Sequence, residues 1–286
     1  MEDCLGSNSN LPIRVGRYLL KKKLEDGIFK AVDAHSGHEV VCKVLDYTRY
    51  REALCTYSQL PAHPNINQVL DVILGEARSF VFFPRSFGNL HALLRTCRRL
   101  HEDTARILFR QLVSAVAHCH SHGLALRDIK LKTFVFKNKE RTVLMLESVE
   151  DAVLKQGGDY PLSTNPSPYT SPEMLQATEE AAGGVSGADS GVSGPVLTST
   201  RSADVWALGV MLHAMLLGRY PERTGLTGGG VVSPHARCMI RSALHSNPAF
   251  RLSASELLTH PWLSSQPRPL PSAHTRSHTH DQTVPT

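Results

Sequence analysis

Apolar and polar residues alternate from Tyr18 to Val44 in three short runs, Tyr18-Leu19-Leu20, Phe29-Lys30-Ala31-Val32 and Glu39-Val40-Val41-Cys42-Lys43-Val44. A period of two predicts strands, and the turn-forming Ala34-His35-Ser36-Gly37 joins the second run to the third. Further along, the period lengthens. Between Glu102 and His122 the residues Ala105, Leu108, Leu112, Ala115, Val116 and Cys119 recur at helical spacing, and Gly123 stands where a left-handed cap would end the helix. Asp204-Val205-Trp206-Ala207-Leu208-Gly209 opens a second buried helix, with Leu212, Met215 and Leu216 on the same side and Gly218 closing it. Ser233-Pro234 offers an N-cap and a first-turn proline to a third helix carrying Ala236, Met239, Ile240, Ala243 and Leu244. Strands first and helices afterwards predict an α+β chain with a small β-rich lobe over about 18–84 and a larger helical lobe over about 85–263.

Three stretches lie outside this pattern. Residues 1–17 form an N-terminal extension. Gln176 to Thr200 is rich in Gly, Ser and Ala and reads as a flexible insertion, whereas Ser264 to Thr286 has four prolines and almost no large apolar residue and reads as a disordered tail. Composition adds exclusions. A chain of 286 residues with 41% hydrophobic residues can bury a substantial core, and no apolar run nears the roughly 18 residues of a membrane span. Met1 to Asn10 lacks the apolar stretch of a secretory signal, so the chain is expected inside the cell. The six cysteines (Cys4, Cys42, Cys55, Cys97, Cys119, Cys238) show neither a Cys-x-x-Cys pair nor a regular spacing, and read as reduced thiols. A net charge of +5 is mildly basic, but apart from Lys21 to Lys23 the cations are dispersed, which argues against nucleic acid as a partner.

The candidate chemistry lies between the first two predicted helices. Leu126-Arg127-Asp128-Ile129-Lys130 follows the H-R-D-L-x-x-x-N pattern of a protein kinase catalytic loop, with Asp128 where the base belongs and Thr133 where the metal-binding Asn belongs. Where a kinase carries Asp-Phe-Gly, this chain reads Ser148-Val149-Glu150. Both protein ligands to magnesium are therefore replaced. Phosphoryl transfer draws its rate mainly from positioning and from charge neutralisation by the metal, and a neutral hydroxyl cannot supply a carboxylate's charge. Losing one such preorganised group costs roughly 100- to 1,000-fold in rate, so two losses at one site leave little activity. Glu150 lies two residues beyond the required carboxylate, and only an altered loop would carry it to a cation.

The small lobe repeats this erosion. The Gly-rich loop survives only as Glu25-Asp26-Gly27-Ile28-Phe29-Lys30-Ala31-Val32, which sets acids where phosphates would lie and keeps one glycine, Gly27. Lys43 holds the place of the strand-three lysine, with Glu52 as the candidate helix partner. Lys43, Asp128 and Lys130 are thus vestigial catalytic positions, and Gly27, Lys43, Glu52 and Ser148 a degenerate nucleotide site. No cofactor is expected beyond weak, magnesium-independent ATP binding. Downstream, Ser171-Pro172-Glu173 matches the end of an activation segment, and Glu173, Asp204 and Arg251 are expected to serve structure, Glu173 with Arg251 as a buried ion pair. His118 and His122 share a helix face, but no third ligand or adjacent Glu is evident, so no metal site is assigned.

Together, Val116-Ala117-His118-Cys119-His120, Leu126 to Lys132, Phe134-Val135-Phe136 and Leu146-Glu147-Ser148-Val149-Glu150-Asp151 resemble the tribbles pseudokinases, over roughly Tyr18 to Leu263. The resemblance implies a kinase-like two-lobed fold and a non-catalytic adaptor, present in nucleus and cytoplasm. It also implies partners: a constitutive-photomorphogenic-type RING ubiquitin ligase, C/EBP-type transcription factors, MAP kinase kinases and Akt, with no membrane. In the tail, Asp281, Gln282, Val284 and Pro285 are similar to the family's ligase-docking peptide, although the chain ends at Thr286 where an acid usually follows. Pro267, Pro269-Leu270 and Thr275 to His278 lean toward the third vertebrate paralogue. Between Gly218-Arg219-Tyr220-Pro221 and Ser233-Pro234 the chain is about twenty residues shorter than the family pattern, so the large lobe is expected to be shortened. The alternative reading is a weak, metal-independent Ser/Thr kinase using Lys43, Asp128 and Lys130. A third is a defective form that competes for partners without delivering them.

Overall fold

A computed structural model describes residues 11–150, 152–154, 167–182, 200–221 and 232–264. Its small lobe is a six-stranded antiparallel sheet in the order β1-β2-β3-β4-β6-β5, built from β1 (Ile13–Val15), β2 (Tyr18–Glu25), β3 (Ile28–Asp33), β4 (Glu39–Asp46), β5 (Asp71–Leu74) and β6 (Arg78–Pro84). The alternation read from the sequence becomes burial. Tyr18, Leu20, Phe29, Ala31, Val40, Cys42 and Phe82 point inward and make a core separate from that of the large lobe. Tyr18 stacks on Phe82 with ring centroids 3.7 Å apart, and its hydroxyl donates to Asp71. The sheet therefore curls until the β1–β2 turn meets the far edge strand. Gly16, at φ +55°, takes a left-handed conformation that favours glycine, and a Cβ there would push Ile73 Cδ1, 2.5 Å away, out of the closure.

The sheet begins earlier than the sequence pattern indicates. Ile13, Arg14 and Val15, inside the segment expected as an N-terminal extension, pair with Leu20, Leu19 and Tyr18. Three residues carry too short an alternation to register as a strand without their partner. Helix α1 (Tyr47–Gln59) packs on β4 and β6.

The large lobe is helical: α2 (Leu90–Cys97), α3 (Glu102–Ser121), α4 (Pro172–Ala182), α5 (Thr200–Leu217), α6 (Pro234–Ala243), α7 (Ala254–Thr259) and α8 (Pro261–Ser264). Two short strand pairs join them, β7 (Leu124–Ala125) with β10 (Val153–Leu154) and β8 (Phe134–Phe136) with β9 (Leu144–Leu146). The apolar faces of α3 and α5 form the centre of one core that also takes in Ile66, Phe134, Leu146, Val149 and Trp262. Gly209 lets α5 and α6 touch: a Cβ there would fall 2.8 Å from Leu244 Cδ2. Ser233 caps α6 by accepting from Ala236 N–H, and Ser253 makes a capping box with Glu256 at α7. At the junction of α3, α6 and α8, Glu102 accepts from the Ser233 amide, the Ser233 hydroxyl and Trp262 Nε1.

Against the flexible insertion expected over 176–200, the stretch is helical at its start: α4 runs on from Pro172 through Ala182. Gln176-Ala177-Thr178-Glu179-Glu180-Ala181-Ala182 contains good helix formers and no glycine, so the Gly- and Ser-rich character starts only at Gly183. Residues 183–199, the junction at 222–231, the tail from 265 and the first ten residues lie outside the described residues.

Candidate functional site: the cleft between the lobes

The glycine-poor loop is a tight hairpin. β2 and β3 stay paired to Glu25 and Ile28, which leaves Asp26 and Gly27 as the whole turn. Gly27 adopts φ +70° and its carbonyl accepts from Val44 N–H at 2.7 Å, so the turn is fastened down onto β4. Asp26 is bound to Lys23 at 2.6 Å, and that contact holds its carboxyl below the usual range. A phosphate cradle needs a run of free backbone amides, and a two-residue turn is too short to offer one.

Across the cleft, β9 leads directly into Glu147-Ser148-Val149-Glu150. Val149 is buried in the large-lobe core, and its amide lies 3.5 Å from the Tyr57 hydroxyl of α1. Ser148 Oγ accepts from Glu150 N–H at 3.2 Å, which turns Glu150 back toward the small lobe. There it meets Lys43: Nζ to Oε1 is 2.8 Å, with both side chains about four-fifths buried. Lys43 Nζ also lies 5.1 Å from the centre of the Phe83 ring. Glu52, the expected partner, lies on α1 with its side chain outside the described residues. In this structure the lysine is thus paired with the acid of the altered metal-binding segment.

The large-lobe side holds the other positions. Asp128 is largely exposed and receives Lys130 Nζ at 2.6 Å. Thr133 Oγ1 donates to the Lys130 carbonyl and accepts from the Lys130 amide, so its hydroxyl closes the loop locally. Asp204 anchors this loop from below, accepting from the amides of Leu126 and Arg127 and from His120 Nε2, each at 2.8 Å. Glu147, though exposed as a residue, has its carboxyl crowded at the cleft. That enclosure raises its pKa, Glu25 and Glu150 add to the effect, and Lys43 opposes it.

The space left is small. One cavity of about 130 Å³ lies among Leu126, Asp128, Lys130, Thr133 and Ser148, and a second of about 20 Å³ beside Lys43, Asn67 and Phe83. Sites for drug-sized ligands occupy roughly 300–1,000 Å³. The residues present do not fit a magnesium-bound nucleotide: the two ligand positions carry hydroxyls engaged in backbone turns, and Glu150, the acid of the altered metal-binding segment, is paired to Lys43. Among the described residues no group of three His, Cys, Asp or Glu side chains is placed to hold a metal ion. No described helix is long and apolar enough to cross a membrane.

Glu173 and Arg251 meet in a bidentate pair, with guanidinium nitrogens 2.7 and 3.0 Å from the two carboxylate oxygens. The same guanidinium donates to the carbonyls of Ser202 and His245. Asp281, Gln282, Val284 and Pro285 lie outside the described residues. Tyr57 had escaped the sequence reading, because an aromatic on an amphipathic helix signals packing and nothing about a loop ninety residues away.

A curled antiparallel sheet over a helical lobe, with a catalytic loop held by a buried aspartate, defines the protein kinase fold, and the protein kinase domain family matches residues 26–263. Tribbles homolog 2 of Canis lupus familiaris is 44% identical over 95% of this chain and 79% of that protein. Tribbles homolog 1 of Homo sapiens is 40% identical over 89% of this chain and 68% of its own length, and Tribbles homolog 3 of Rattus norvegicus 39% over 87% and 71%. The chain belongs to the tribbles family of kinase-like pseudokinases. Over the matched lengths, identity is higher to homolog 2 than to homolog 3, the direction opposite to the one the tail residues suggested.

Proposed function

We propose that this chain is a non-catalytic adaptor whose kinase-like body holds a substrate protein while its tail brings a RING ubiquitin ligase to it. The observation that carries the reading is the Lys43–Glu150 ion pair: the lysine that would meet a nucleotide's phosphates is neutralised by the segment that would have held the metal. With Thr133 and Ser148 supplying hydroxyls where carboxylates are needed, the cleft serves shape and not phosphoryl transfer, and no cofactor is required. Linking two binding sites on one chain raises the effective concentration of one partner at the other. By family resemblance the ligase is of the constitutive-photomorphogenic type, the substrates are C/EBP-type transcription factors, and MAP kinase kinases and Akt are regulatory partners in nucleus and cytoplasm.

The test is affinity capture from cells with the full chain, a form ending at Leu263, and a Val284→Ala/Pro285→Ala variant. The reading expects ligase recovery with the full chain alone and substrate recovery with all three. Undiminished ligase capture by the variant sinks the tail's role. A second reading, a weak kinase, rests on the surviving Asp128–Lys130 contact. It requires a thermal shift with ATP that persists in EDTA, together with phosphate transfer lost in Asp128→Asn.

A further inference from the structure

Three imidazoles cluster where the loop after α1 meets α3. The His63 and His118 rings stack with centres 4.7 Å apart at an interplanar angle of 28°, and His122 lies tilted against His118 at 4.4 Å and 48°. Hydrogen bonds fix the tautomer of each. His63 Nδ1 accepts from the Asn65 amide at 3.1 Å, so its proton is on Nε2, which donates to Ser114 Oγ at 3.1 Å. His118 Nε2 donates to the Pro61 carbonyl at 2.9 Å, and His122 Nδ1 donates to the His118 carbonyl at 2.8 Å.

A second proton has different consequences at the three rings. On His118 it would go to Nδ1, and on His122 to Nε2, without displacing these bonds. On His63 it must go to Nδ1, where it would point at the Asn65 N–H, donor against donor. His118, with His122 behind it, is the titratable neighbour that faces His63 from α3; Ser114 and Asn65 are neutral. Among the described residues none of the three imidazoles has a carboxylate partner, whereas His120 on the same helix has Asp204. Burial and His118 lower the His63 pKa, in keeping with that arrangement.

The loop is a fastening. Asn65 Nδ2 donates to the Leu144 carbonyl, the Leu146 amide donates to the Asn65 carbonyl, and the Asn67 amide donates to the Leu146 carbonyl. Ile66 is buried in the large-lobe core. These bonds hold the side of β9 away from its partner strand β8, and β9 is the strand that delivers Glu147 through Glu150 to Lys43.

We propose that His63, His118 and His122 form an acid-sensitive latch: when charge accumulates on the clustered rings, the loop of residues 61–67 releases its edge of β9 and loosens the segment leading to Glu150. Hydrogen exchange of the full chain at pH 7.5 and 5.5, corrected for the intrinsic pH dependence of amide exchange, tests it. The amides of Ile66, Asn67 and Leu146 should lose about tenfold in protection at the lower pH, relative to those of Leu208 to Leu212 in α5. A His118→Gln/His122→Gln variant changes only side chains that reach the surface and keeps amide donors, and it should shrink that relative loss. His63→Gln should abolish it. Equal losses in the loop and in α5, or an unchanged pH response in the double variant, would overturn the proposal.

Discussion

Lys43 and Glu150 are 107 positions apart, and their contact changes what each residue is for. Aligned to a motif, Lys43 reads as a nucleotide ligand and Glu150 as a displaced metal ligand; in contact, each occupies the other. Glu150→Gln should free Lys43 for other anions, so the thermal shift given by ATP in EDTA should exceed that of the wild type. Equal shifts would mean that the pair is already open in solution. The positions of Asp128, Thr133 and Ser148 were legible because motif spacing is a property of the chain. Glu150's partner was not, because it depends on how Ser148 turns the backbone. Glu173 and Arg251 make a second long-range pair, and this one is structural: Glu173→Ala leaves a buried guanidinium without its carboxylate. A loss of about 3–5 kcal/mol is expected, read from urea unfolding, and a loss below about 1 kcal/mol would mean that Ser202 and His245 suffice.

At the scale of elements, α3 and α6 were readable because their apolar periodicity is local and burial follows it, whereas α5, apolar nearly all round, is buried on every side from Ala207 to Leu216. The Gly-rich loop shows the limit. Its sequence warned of repulsion with phosphates, but that its turn is only two residues long, bonded to Val44, is decided by pairing across β2, β3 and β4. β1 and the C-terminal half of α4 were missed for related reasons, one being too short to show a period and the other next to a low-complexity stretch. Helix packing also sets the role of Gly209. Its missing side chain lets α5 reach Leu244 and Ala243, so Gly209→Val should cost about 1–3 kcal/mol by overpacking. A lowered thermal midpoint checks this, and an unchanged one would show that α6 can retreat freely.

For the whole molecule, pH reports the sum of such contacts. Burial lowers the pKa of His63, His213 and His260. A histidine harder to protonate folded than unfolded contributes fully above its unfolded pKa of about 6.5, and that contribution is lost as pH falls below it and on through the lower folded pKa. Glu102 and Glu173 are each pushed up by burial, but hydrogen bonds outweigh this, from Ser233 and Trp262 in one case and Arg251 in the other, leaving both below the usual range. Their contribution holds above the unfolded value of about 4.3 and fades below it. The urea midpoint should therefore be level near pH 7–8, decline from about pH 6.5, and fall further below about 4.3. A midpoint that rises between pH 7 and 5.5 would contradict the histidine assignment.

By itself the sequence determined the α+β class, the chain positions of the eroded catalytic loop and metal segment, and the family. All of these depend on residue type and spacing along the chain. The tertiary structure alone decided that Glu150 pairs with Lys43, that Thr133 and Ser148 close local turns, that Tyr57 reaches Val149, and that His63 comes to rest against His118. Each of these joins residues whose separation along the chain says nothing about their separation in space, and only the packing of the two cores brings them within reach.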